Sequence, residues 1–238
     1  MKIDVRFLPA RLQAPALANT VCIVLDIFRA TTSIITAMNN GCNTIIPVES
    51  IEDAKRAAAG TTAPLLAGER QSIKIAGFDF GNSPREFAAG KVQGRTVIMT
   101  TTNGTIAIKS TAGAYRTLIG AFINARAVCR QAKEYQKDIL LVCAGTDRLF
   151  SLEDALCAGL LVDCLQGPVG VELTDAALGA WSMYQGVKAS LVEVAGTGRN
   201  GRRLYDLGLE EDVRYCLQSD RMDIVPEYCD GRIILSAG

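Results

Sequence analysis

Charged side chains follow several short apolar runs of the chain, at the points where those runs end. They are Asp26, Arg29, Glu69, Arg70, Glu153 and Asp154. Short apolar runs with polar boundaries are typical of buried parallel strands, and α/β sheets bind ligands at the carboxyl ends of such strands. Carboxylates and guanidinium groups would meet free helix amides there. This pattern favours a site for a small anion, held with or without a metal ion.

Uncharged polar residues occupy the same turns and could complete such a site. The candidates are Thr31, Thr32, Asn82, Ser83, Thr101, Thr102, Asn103, Gly104 and Thr105. Backbone amides and threonine hydroxyls at a strand-to-helix turn can surround phosphate or sulfonate oxygens. Each turn also has a plainer interpretation, as a helix cap, an Asn-Gly turn or a surface ion pair. Their recurrence at several predicted strand ends favours a binding site.

The sequence contains no histidine, and this excludes several common catalytic mechanisms. Ser-His-Asp and Cys-His nucleophilic chemistry and histidine phosphoenzymes all require that side chain. The segment Cys143 to Arg148 is one residue short of the cysteine-phosphatase loop, and Asp26 lacks the second aspartate of the aspartyl-phosphate enzymes. The eight cysteines contain no C-x-x-C pair and are expected to be small buried hydrophobic residues. Acid–base chemistry must therefore use Asp, Glu, Lys, Cys or Tyr.

Composition sets limits on the domain organisation and on the partners. The chain has 238 residues, about half of them apolar, with 25 basic and 25 acidic side chains. This size suits one domain over residues 1–238. Because there is no polybasic run, we expect no nucleic acid and no membrane as partner. The N-terminus lacks a signal-peptide core and no apolar run approaches about 18 residues, so we expect a cytoplasmic protein.

The predicted elements alternate between strand and helix. Strands are predicted at 2–8, 21–27, 44–48, 64–67, 95–100, 115–121, 138–144, 223–229 and 232–235. Most gaps between them carry helical patterns, and Asp230-Gly231 predicts a tight turn between the last two strands. This order predicts a three-layer α/β/α fold whose mixed sheet is mostly parallel. The crossings at 21–33, 95–112 and 138–165 resemble one another loosely, which hints at an internal duplication.

Three serines are predicted to cap helices. Ser50 and Ser151 each precede a helical pattern with acidic residues in its first turn. Ser83 is followed by Pro84 at the first helical position and by Glu86, which is expected to close a capping box. The loop before Ser83 is predicted to run from 71 to 81 without regular structure.

A literal G-x-G-x-x-G stretch, Gly196 to Gly201, allows an alternative function, dinucleotide binding. Two arginines, Arg202 and Arg203, follow the third glycine where close helix–strand packing is required, and the chain ends before a second nucleotide half. The two arginines are better suited to binding an anion. Arg202 is therefore included among the candidate substrate-binding residues.

The motifs, taken together, resemble the 2-phosphosulfolactate phosphatase family, also called the ComB family, over almost the whole chain. The matching stretches run in the family's order: 24–32, Gly68-Glu-Arg70, 77–84, 101–105, Cys143-Ala-Gly145, Glu153-Asp154 and 223–228. The segment 198–203 departs from the family pattern, because it has Asn200 and lacks a histidine that the family leads us to expect.

The resemblance implies a Mg²⁺-dependent phosphomonoesterase that converts 2-phosphosulfolactate and water to 3-sulfolactate and phosphate. It also implies a homodimer and, in methanogens, a place in coenzyme M biosynthesis. The family has its own α/β fold. A small anionic phosphoester is therefore the expected substrate. A non-catalytic protein that binds or senses a small anion on the same scaffold is the alternative from a different class.

The large rate acceleration needed for phosphate-ester hydrolysis favours a metal-dependent reaction. The uncatalysed reaction is so slow that enzymes supply up to about 10²¹-fold acceleration, roughly 28 kcal/mol. A helix N-terminus contributes at most about 2 kcal/mol to anion binding. A hard cation and arginines are the usual further source of stabilisation. Our hypothesis places Mg²⁺ among Asp26, Glu69 and Glu153 or Asp154, with Arg29, Arg70 and the turn at 101–105 holding phosphate and sulfonate.

Overall fold

Strands and helices alternate along most of the chain. The computed structural model describes residues 1–9, 17–167 and 170–235. The strands in these residues are β1 (Lys2–Arg6), β2 (Thr20–Leu25), β3 (Thr44–Pro47), β4 (Leu65–Arg70), β5 (Ile73–Lys74), β6 (Thr96–Thr100), β7 (Arg116–Gly120), β8 (Asp138–Cys143), β9 (Glu172–Leu173), β10 (Pro226–Cys229) and β11 (Arg232–Leu235). The α-helices are α1 (Ala30–Asn39), α2 (Ile51–Ala59), α3 (Ala89–Val92), α4 (Gly104–Ser110), α5 (Ala125–Glu134), α6 (Leu152–Leu165), α7 (Asp175–Val187), α8 (Leu191–Gly196), α9 (Arg199–Asp206) and α10 (Glu210–Cys216).

The described strands form one mixed sheet in which two parallel groups flank the C-terminal hairpin. The strand order is β5-β4-β6-β3-β11-β10-β7-β2-β8-β1-β9. Strands β4, β6 and β3 are parallel to one another, and so are β7, β2, β8, β1 and β9. The hairpin β10–β11 pairs antiparallel with both groups. The predicted sheet, mixed and mostly parallel, is therefore confirmed.

The hairpin makes the two parallel groups run in opposite directions, because three antiparallel pairings separate β3 from β7. In a flat sheet, the carboxyl ends of the two groups would lie at opposite edges. Asp26, which follows β2, nevertheless lines the same cavity as Glu69, which belongs to β4. β-Sheets generally twist by about 20–25° per strand pair, and such a twist, accumulated over the intervening pairs, would let the carboxyl ends of opposed groups approach each other. The functional site lies at this junction.

Burial of the central strands confirms the three-layer arrangement. Every side chain from Val21 to Leu25 in β2, and every one from Ile139 to Cys143 in β8, is buried. Successive side chains of a strand point to opposite faces of the sheet, so full burial requires both faces to be covered. Helices on both sides therefore enclose the sheet, as the alternating pattern predicts.

Two local predictions are confirmed in atomic detail. The Ser50 hydroxyl accepts a hydrogen bond from the Asp53 amide at 3.0 Å and caps α2. The turn between β10 and β11 places Asp230 and Gly231 at φ angles of 48° and 78°. Positive φ at both central positions is the requirement of the type I′ hairpin turn that the Asp-Gly pair predicts.

The other two predicted caps are wrong, since neither serine side chain accepts a hydrogen bond from the first turn of its helix. Ser83 makes no cap hydrogen bond to the 3₁₀ turn Pro84–Glu86, and its hydroxyl donates instead to Asp212. Glu86 accepts from the Gly81 amide rather than closing a capping box. Ser151 also makes no cap bond, although α6 begins where predicted.

Two segments differ from the sequence prediction. Strand β4 extends to Arg70, so that Glu69 and Arg70 lie within it, and β5 occupies part of the predicted loop. The stretch 191–196, which leads into the glycine-rich segment, is helix α8. A dinucleotide fold needs a strand there, so the dinucleotide alternative is wrong. None of the described helices combines the length and apolarity needed to cross a membrane.

Candidate active site

Asp26 lies at the carboxyl end of β2, where the chain turns into α1. The turn is closed by Thr31, whose amide and hydroxyl both donate to the Asp26 carbonyl oxygen, at 2.9 and 3.0 Å. The Asp26 carboxylate accepts the Ala30 amide at 3.2 Å. Gly104 packs against this carboxylate, and a Cβ there would lie 2.7 Å from Asp26 Oδ2. Only glycine allows this approach between the two turns.

Burial raises the pKa of Asp26 to about 7. The Ala30 amide and Arg29 lower this pKa, whereas the neighbouring carboxylates Glu69 and Glu153 raise it further. A carboxyl group with a pKa near neutrality can exchange a proton close to pH 7 or bind a cation that compensates its charge. A strongly shifted buried carboxyl in a cavity is a mark of a functional site.

Glu69 connects β4 to the turn after β6. Its Oε1 accepts from both the amide and the hydroxyl of Thr102, at 2.8 and 3.0 Å, and its Oε2 accepts from the Ser72 amide at 2.7 Å. These bonds fix the carboxylate, which is only 7% exposed, in one orientation. The turn at 101–105 is therefore held by a carboxylate of a neighbouring strand.

Arg29 is held by two groups that are distant in sequence. Its guanidinium donates to Asp212 of α10 at 2.7 Å and to the Ser72 carbonyl oxygen at 2.8 Å. Ser83 donates to the other oxygen of Asp212 at 2.7 Å. The Arg29 and Asp212 side chains are 4% and 1% exposed, so this ion pair is buried. Arg29 keeps further N–H groups for a ligand, since guanidinium has five.

Asp154 and Glu153 begin α6 behind the Asp26 turn. Asp154 accepts the amides of Ile27 and Gly145, at 2.9 and 3.1 Å, and so joins the ends of β2 and β8. Burial raises the pKa of Asp154 well above its usual value, and the charges of Glu153 and Asp26 add to this effect. Burial also raises the pKa of Glu153. Both carboxylates are buried, and neither lines the cavity that Asp26 faces.

A small polar cavity of about 20 Å³ is the centre of the site. It is lined by Asp26, Phe28, Arg29, Glu69, Ser72, Asn82, Thr102, Asn103, Asn200 and Arg203. A volume of roughly 10–15 Å³ suffices for one water molecule, so the cavity can hold a water or an ion as it stands. Asn82 is 4% exposed, and its Oδ1 has no hydrogen-bond partner among the described residues. A buried, unpaired acceptor that borders the cavity is available to bind a ligand.

The structure brings six predicted residues together around this cavity, namely Asp26, Arg29, Glu69, Asn82, Thr102 and Asn103. Gly104 adjoins it through its contact with Asp26. The carboxyl ends of β2, β4 and β6 supply most of this group. Their catalytic and binding roles stay predictions.

Other predicted residues support the turns instead of facing the cavity. The hydroxyls of Thr31 and Thr32 donate to the backbone oxygens of Asp26 and Ile27, and Thr105 donates to Thr101. Ser83 bonds to Asp212, while Glu153 and Asp154 lie behind the cavity wall. These residues lie outside the lining of the cavity, and their predicted contacts with substrate or metal stay predictions.

Two of the predicted arginines are also placed elsewhere. Arg70 donates to the carbonyl oxygen of Glu69 at 2.7 Å and to the Thr100 hydroxyl at 3.0 Å, and it does not line the cavity. Arg202 is exposed on α9, whereas its neighbour Arg203 lines the cavity and pairs with Asp147 at 2.6 Å. Of the two arginines, the helical phase of α9 places Arg203 at the cavity, and the predicted role of Arg202 in substrate binding stays a prediction.

Several residues that border the cavity or contact its wall have no distinctive signal in the sequence. Phe28 and Ser72 line the cavity, as does Asn200, which donates to the Phe28 carbonyl oxygen at 2.7 Å. Asp212 was also missed, because it stands in an acidic first turn of α10 that resembles a solvated helix start. Its role depends on a contact with Arg29 across 183 positions of the sequence.

The predicted metal ligands are only partly assembled. In residues 1–9, 17–167 and 170–235, no three Asp, Glu, Cys or His side chains come close enough together to hold a metal. Asp26 and Glu69 share the cavity with the unpaired Asn82 oxygen, and Glu153 is outside its lining. The presence of Mg²⁺ stays a prediction.

Comparisons with known proteins match this arrangement to one family. The family model for 2-phosphosulpholactate phosphatase matches residues 7–231. A Clostridium novyi protein named "Probable 2-phosphosulfolactate phosphatase" is 39% identical over 229 residues, covering 96% of this chain and 97% of that protein. A Clostridium acetobutylicum protein of the same name is 38% identical, covering 98% and 100%. Another, from Caldanaerobacter subterraneus subsp. tengcongensis, is 40% identical and covers 88% of each chain. The chain therefore belongs to the 2-phosphosulpholactate phosphatase family and is a phosphatase.

Proposed function

We propose that this phosphatase hydrolyses 2-phosphosulfolactate to 3-sulfolactate and phosphate in a Mg²⁺-dependent reaction. The observation that carries the proposal is one buried cavity lined by two carboxylates, Asp26 and Glu69, and by two guanidinium groups, Arg29 and Arg203. Carboxylates bind a hard cation, and guanidinium groups bind phosphoryl oxygens in a planar, two-pronged geometry. The identity of the proposed substrate is inferred from the names of the related proteins.

The negative charge of the carboxylates at the site favours binding of a cation. Asp26 and Glu69 line the cavity and Glu153 lies near enough to raise the pKa of Asp26. The charges of Arg29 and Arg203 are offset by Asp212 and Asp147. A phosphate monoester carries about −1.5 to −2 charges at pH 7, so the carboxylates would repel it. A bound cation would remove this repulsion and lower the cost of the buried charges.

The residues present fit Mg²⁺. This ion is usually bound by one or two carboxylates together with water and phosphate oxygens, rather than by a cage made only of protein ligands. Asp26 and Glu69 would supply the carboxylates, and the unpaired Asn82 Oδ1 would supply a neutral oxygen. When bound, the ion supplies electrostatic stabilisation for the phosphoryl group.

The side chains of this chain would position the substrate. Arg29, fixed by Asp212, presents its remaining N–H groups to the phosphoryl oxygens without first having to be ordered. Arg203 reaches the same cavity from α9 and can contact the phosphate from another side. The Glu69–Thr102 bonds hold Thr102 and Asn103 at the cavity wall. Preorganised donors of this kind are usually the largest electrostatic contribution of the protein.

A phosphate-release assay tests the proposal. Purified protein should release inorganic phosphate from 2-phosphosulfolactate with Mg²⁺, and EDTA should abolish the release until excess Mg²⁺ is added. Full activity in EDTA would refute the metal dependence. Release from other phosphomonoesters but not from 2-phosphosulfolactate would refute the substrate, and no release from any would favour the non-catalytic, anion-binding alternative. The homodimer, the cytoplasmic location and a role in coenzyme M biosynthesis stay predictions.

A further inference from the structure

Arg203 reaches the catalytic cavity from helix α9, whose backbone is fixed in place. Asn200, one helical turn earlier, lines the same cavity and donates to the Phe28 carbonyl oxygen at 2.7 Å. Residues three apart lie on one face of a helix, so this bond also turns Arg203 towards the cavity. Leu204 is fully buried, which anchors α9 to the core. The long side chain of Arg203, in contrast, has rotational freedom of its own that the helix does not remove.

Asp147 restrains this side chain. It accepts a hydrogen bond from the Arg203 guanidinium at 2.6 Å, and within the described residues no other group bonds to that guanidinium. The Arg203 and Asp147 side chains are 30% and 41% exposed. An ion pair this exposed adds little to the stability of a fold. Its main consequence is therefore the orientation that it gives to the guanidinium at the cavity.

Asp147 stands on a tight turn with an unusual backbone. Thr146 and Leu149 exchange two backbone hydrogen bonds, of 2.9 and 3.0 Å, and the residues between them, Asp147 and Arg148, have φ angles of 53° and 61°. Two-residue turns with positive φ at both positions favour asparagine, aspartate and glycine, and an arginine there is uncommon. Strained backbone persists where its surroundings fix it, and it is frequent at functional sites. The conformation of this turn points to a role beyond connecting two elements.

The turn 146–149 is tied to the strand end that carries Asp26. Gly145, directly before the turn, donates its amide to Asp154 at 3.1 Å, and Asp154 also accepts the Ile27 amide at 2.9 Å. Helix α9 is bonded to the next residue, Phe28. The turn and the helix are thus both fixed to the backbone that follows Asp26, and the ion pair connects them beside the cavity.

We propose that Asp147 is a positioning residue, which holds the Arg203 guanidinium in the orientation that contacts the phosphoryl group. The inference rests on the proposed function, because it assumes that a phosphoryl group binds in this cavity. Guanidinium has five N–H donors, so a bond to Asp147 leaves others for phosphate oxygens. A side chain that is ordered in advance loses less freedom when the ligand binds. The Asp147–Arg203 pair therefore contributes to phosphate affinity and to rate.

Asp147→Gly tests the proposal, because it removes the carboxylate while glycine readily adopts the positive φ of the turn. We expect the affinity for inorganic phosphate, measured by calorimetry with saturating Mg²⁺, to fall about three- to tenfold. We expect kcat/KM for 2-phosphosulfolactate to fall about tenfold or more. Asp147→Asn, which keeps a neutral acceptor and tolerates the same φ, should lie between Asp147→Gly and the wild type in both quantities.

Asp230→Gly is the matched control. Asp230 is an exposed aspartate at a φ of 48°, in the two-residue turn between β10 and β11, and it does not line the cavity. This variant makes the same change in chain flexibility and charge at the same kind of turn. It should change phosphate affinity and kcat/KM less than about twofold.

A double-mutant cycle separates positioning from a general effect on the fold. In Arg203→Ala, the side chain to be positioned is absent, so adding Asp147→Gly should change phosphate affinity and kcat/KM less than about twofold further. Losses by the same factor with and without Arg203 would overturn the proposal, since a purely structural effect of the turn does not require that side chain. Wild-type affinity and kcat/KM in Asp147→Gly would also overturn it.

The calorimetric measurement separates this inference from the proposed function. A protein that binds phosphate with coupling between Asp147 and Arg203, but hydrolyses no phosphomonoester, would refute the proposed function and retain the positioning role. Hydrolysis of 2-phosphosulfolactate without such coupling would support the function and refute the positioning role. If the wild type binds no phosphate in Mg²⁺, the positioning role is refuted as well.

Discussion

At the scale of single residues, the site concentrates negative charge that the fold itself does not neutralise. Asp26, Glu153 and Asp154 all have pKa values raised by burial, and their charges reinforce one another. A buried carboxylate without compensation reduces the stability of the folded protein at neutral pH. Function and stability therefore oppose each other at Asp26, which is common at active sites.

Replacing Asp26 with Asn should remove activity and stabilise the metal-free protein. We expect kcat to fall roughly 10²–10³-fold, as when a group that stabilises the transition state is removed. Because the pKa of Asp26 in the folded protein is about 7, against 3.8 ordinarily, folding loses stability as pH rises between these values. Asn does not titrate, so the variant should gain on the order of 1–2 kcal/mol at pH 8.

Thermal unfolding in EDTA measures this gain. The melting temperature of Asp26→Asn should exceed that of the wild type by roughly 2–8 °C at pH 8, and the difference should shrink at pH 5. A difference that does not depend on pH, or a variant that is less stable at pH 8, would contradict the raised pKa.

At the scale of elements, the C-terminal helices complete a site that the strand ends begin. Helix α9 supplies Asn200 and Arg203 to the cavity, and α10 supplies Asp212, which orients Arg29. A guanidinium that is misplaced by about 1 Å can reduce the rate by about 10²-fold. The correct position of Arg29 thus depends on a helix that begins almost two hundred residues further along the chain.

Asp212→Asn should therefore lower activity, although Asp212 does not line the cavity. We expect kcat/KM to fall about 10–100-fold, with a loss of stability of about 3–5 kcal/mol because the charge of Arg29 stays buried and unpaired. Steady-state kinetics and thermal unfolding measure the two effects. Ser83→Ala, which removes one hydrogen bond to Asp212, is the milder variant and should reduce kcat/KM several-fold.

Asp223→Asn is the matched control for this prediction. It breaks the Arg130–Asp223 ion pair, whose side chains are 59% and 80% exposed. Exposed pairs contribute about 1 kcal/mol or less, so activity and stability should both be retained. Wild-type kcat/KM in folded Asp212→Asn and in Ser83→Ala would show that the ion pair has no positioning role.

The sequence predicts elements and strand-end turns well, because these depend on local patterns. Polar residues that end apolar runs predicted the turns at Asp26, at Glu69 and at 101–105. In the structure, these three turns border one cavity. The orientation of individual side chains within a turn was not predictable. Ser83 has the sequence context of a helix cap, yet a buried carboxylate from α10 takes its hydroxyl. Arg70 folds back onto its own strand and Thr100.

At the scale of the whole molecule, the site lies where two opposed groups of parallel strands meet. The alternation of strands and helices predicted a mostly parallel sheet, but not that the C-terminal hairpin would lie between the two groups. That placement depends on pairings of β10 with β7 and β11 with β3, which leave no periodic signal. The cavity combines Asp26, which follows β2 of one group, with Glu69, which lies in β4 of the other group.

We propose that this acidic cavity needs a bound cation before it can bind a phosphoryl group. Calorimetric titration of inorganic phosphate, the reaction product, into the wild-type protein tests it most directly, once with saturating Mg²⁺ and once in EDTA. We predict that phosphate binds at least tenfold more tightly with Mg²⁺, and that Asp26→Asn reduces this difference. Equal affinity for phosphate with Mg²⁺ and in EDTA would contradict the claim.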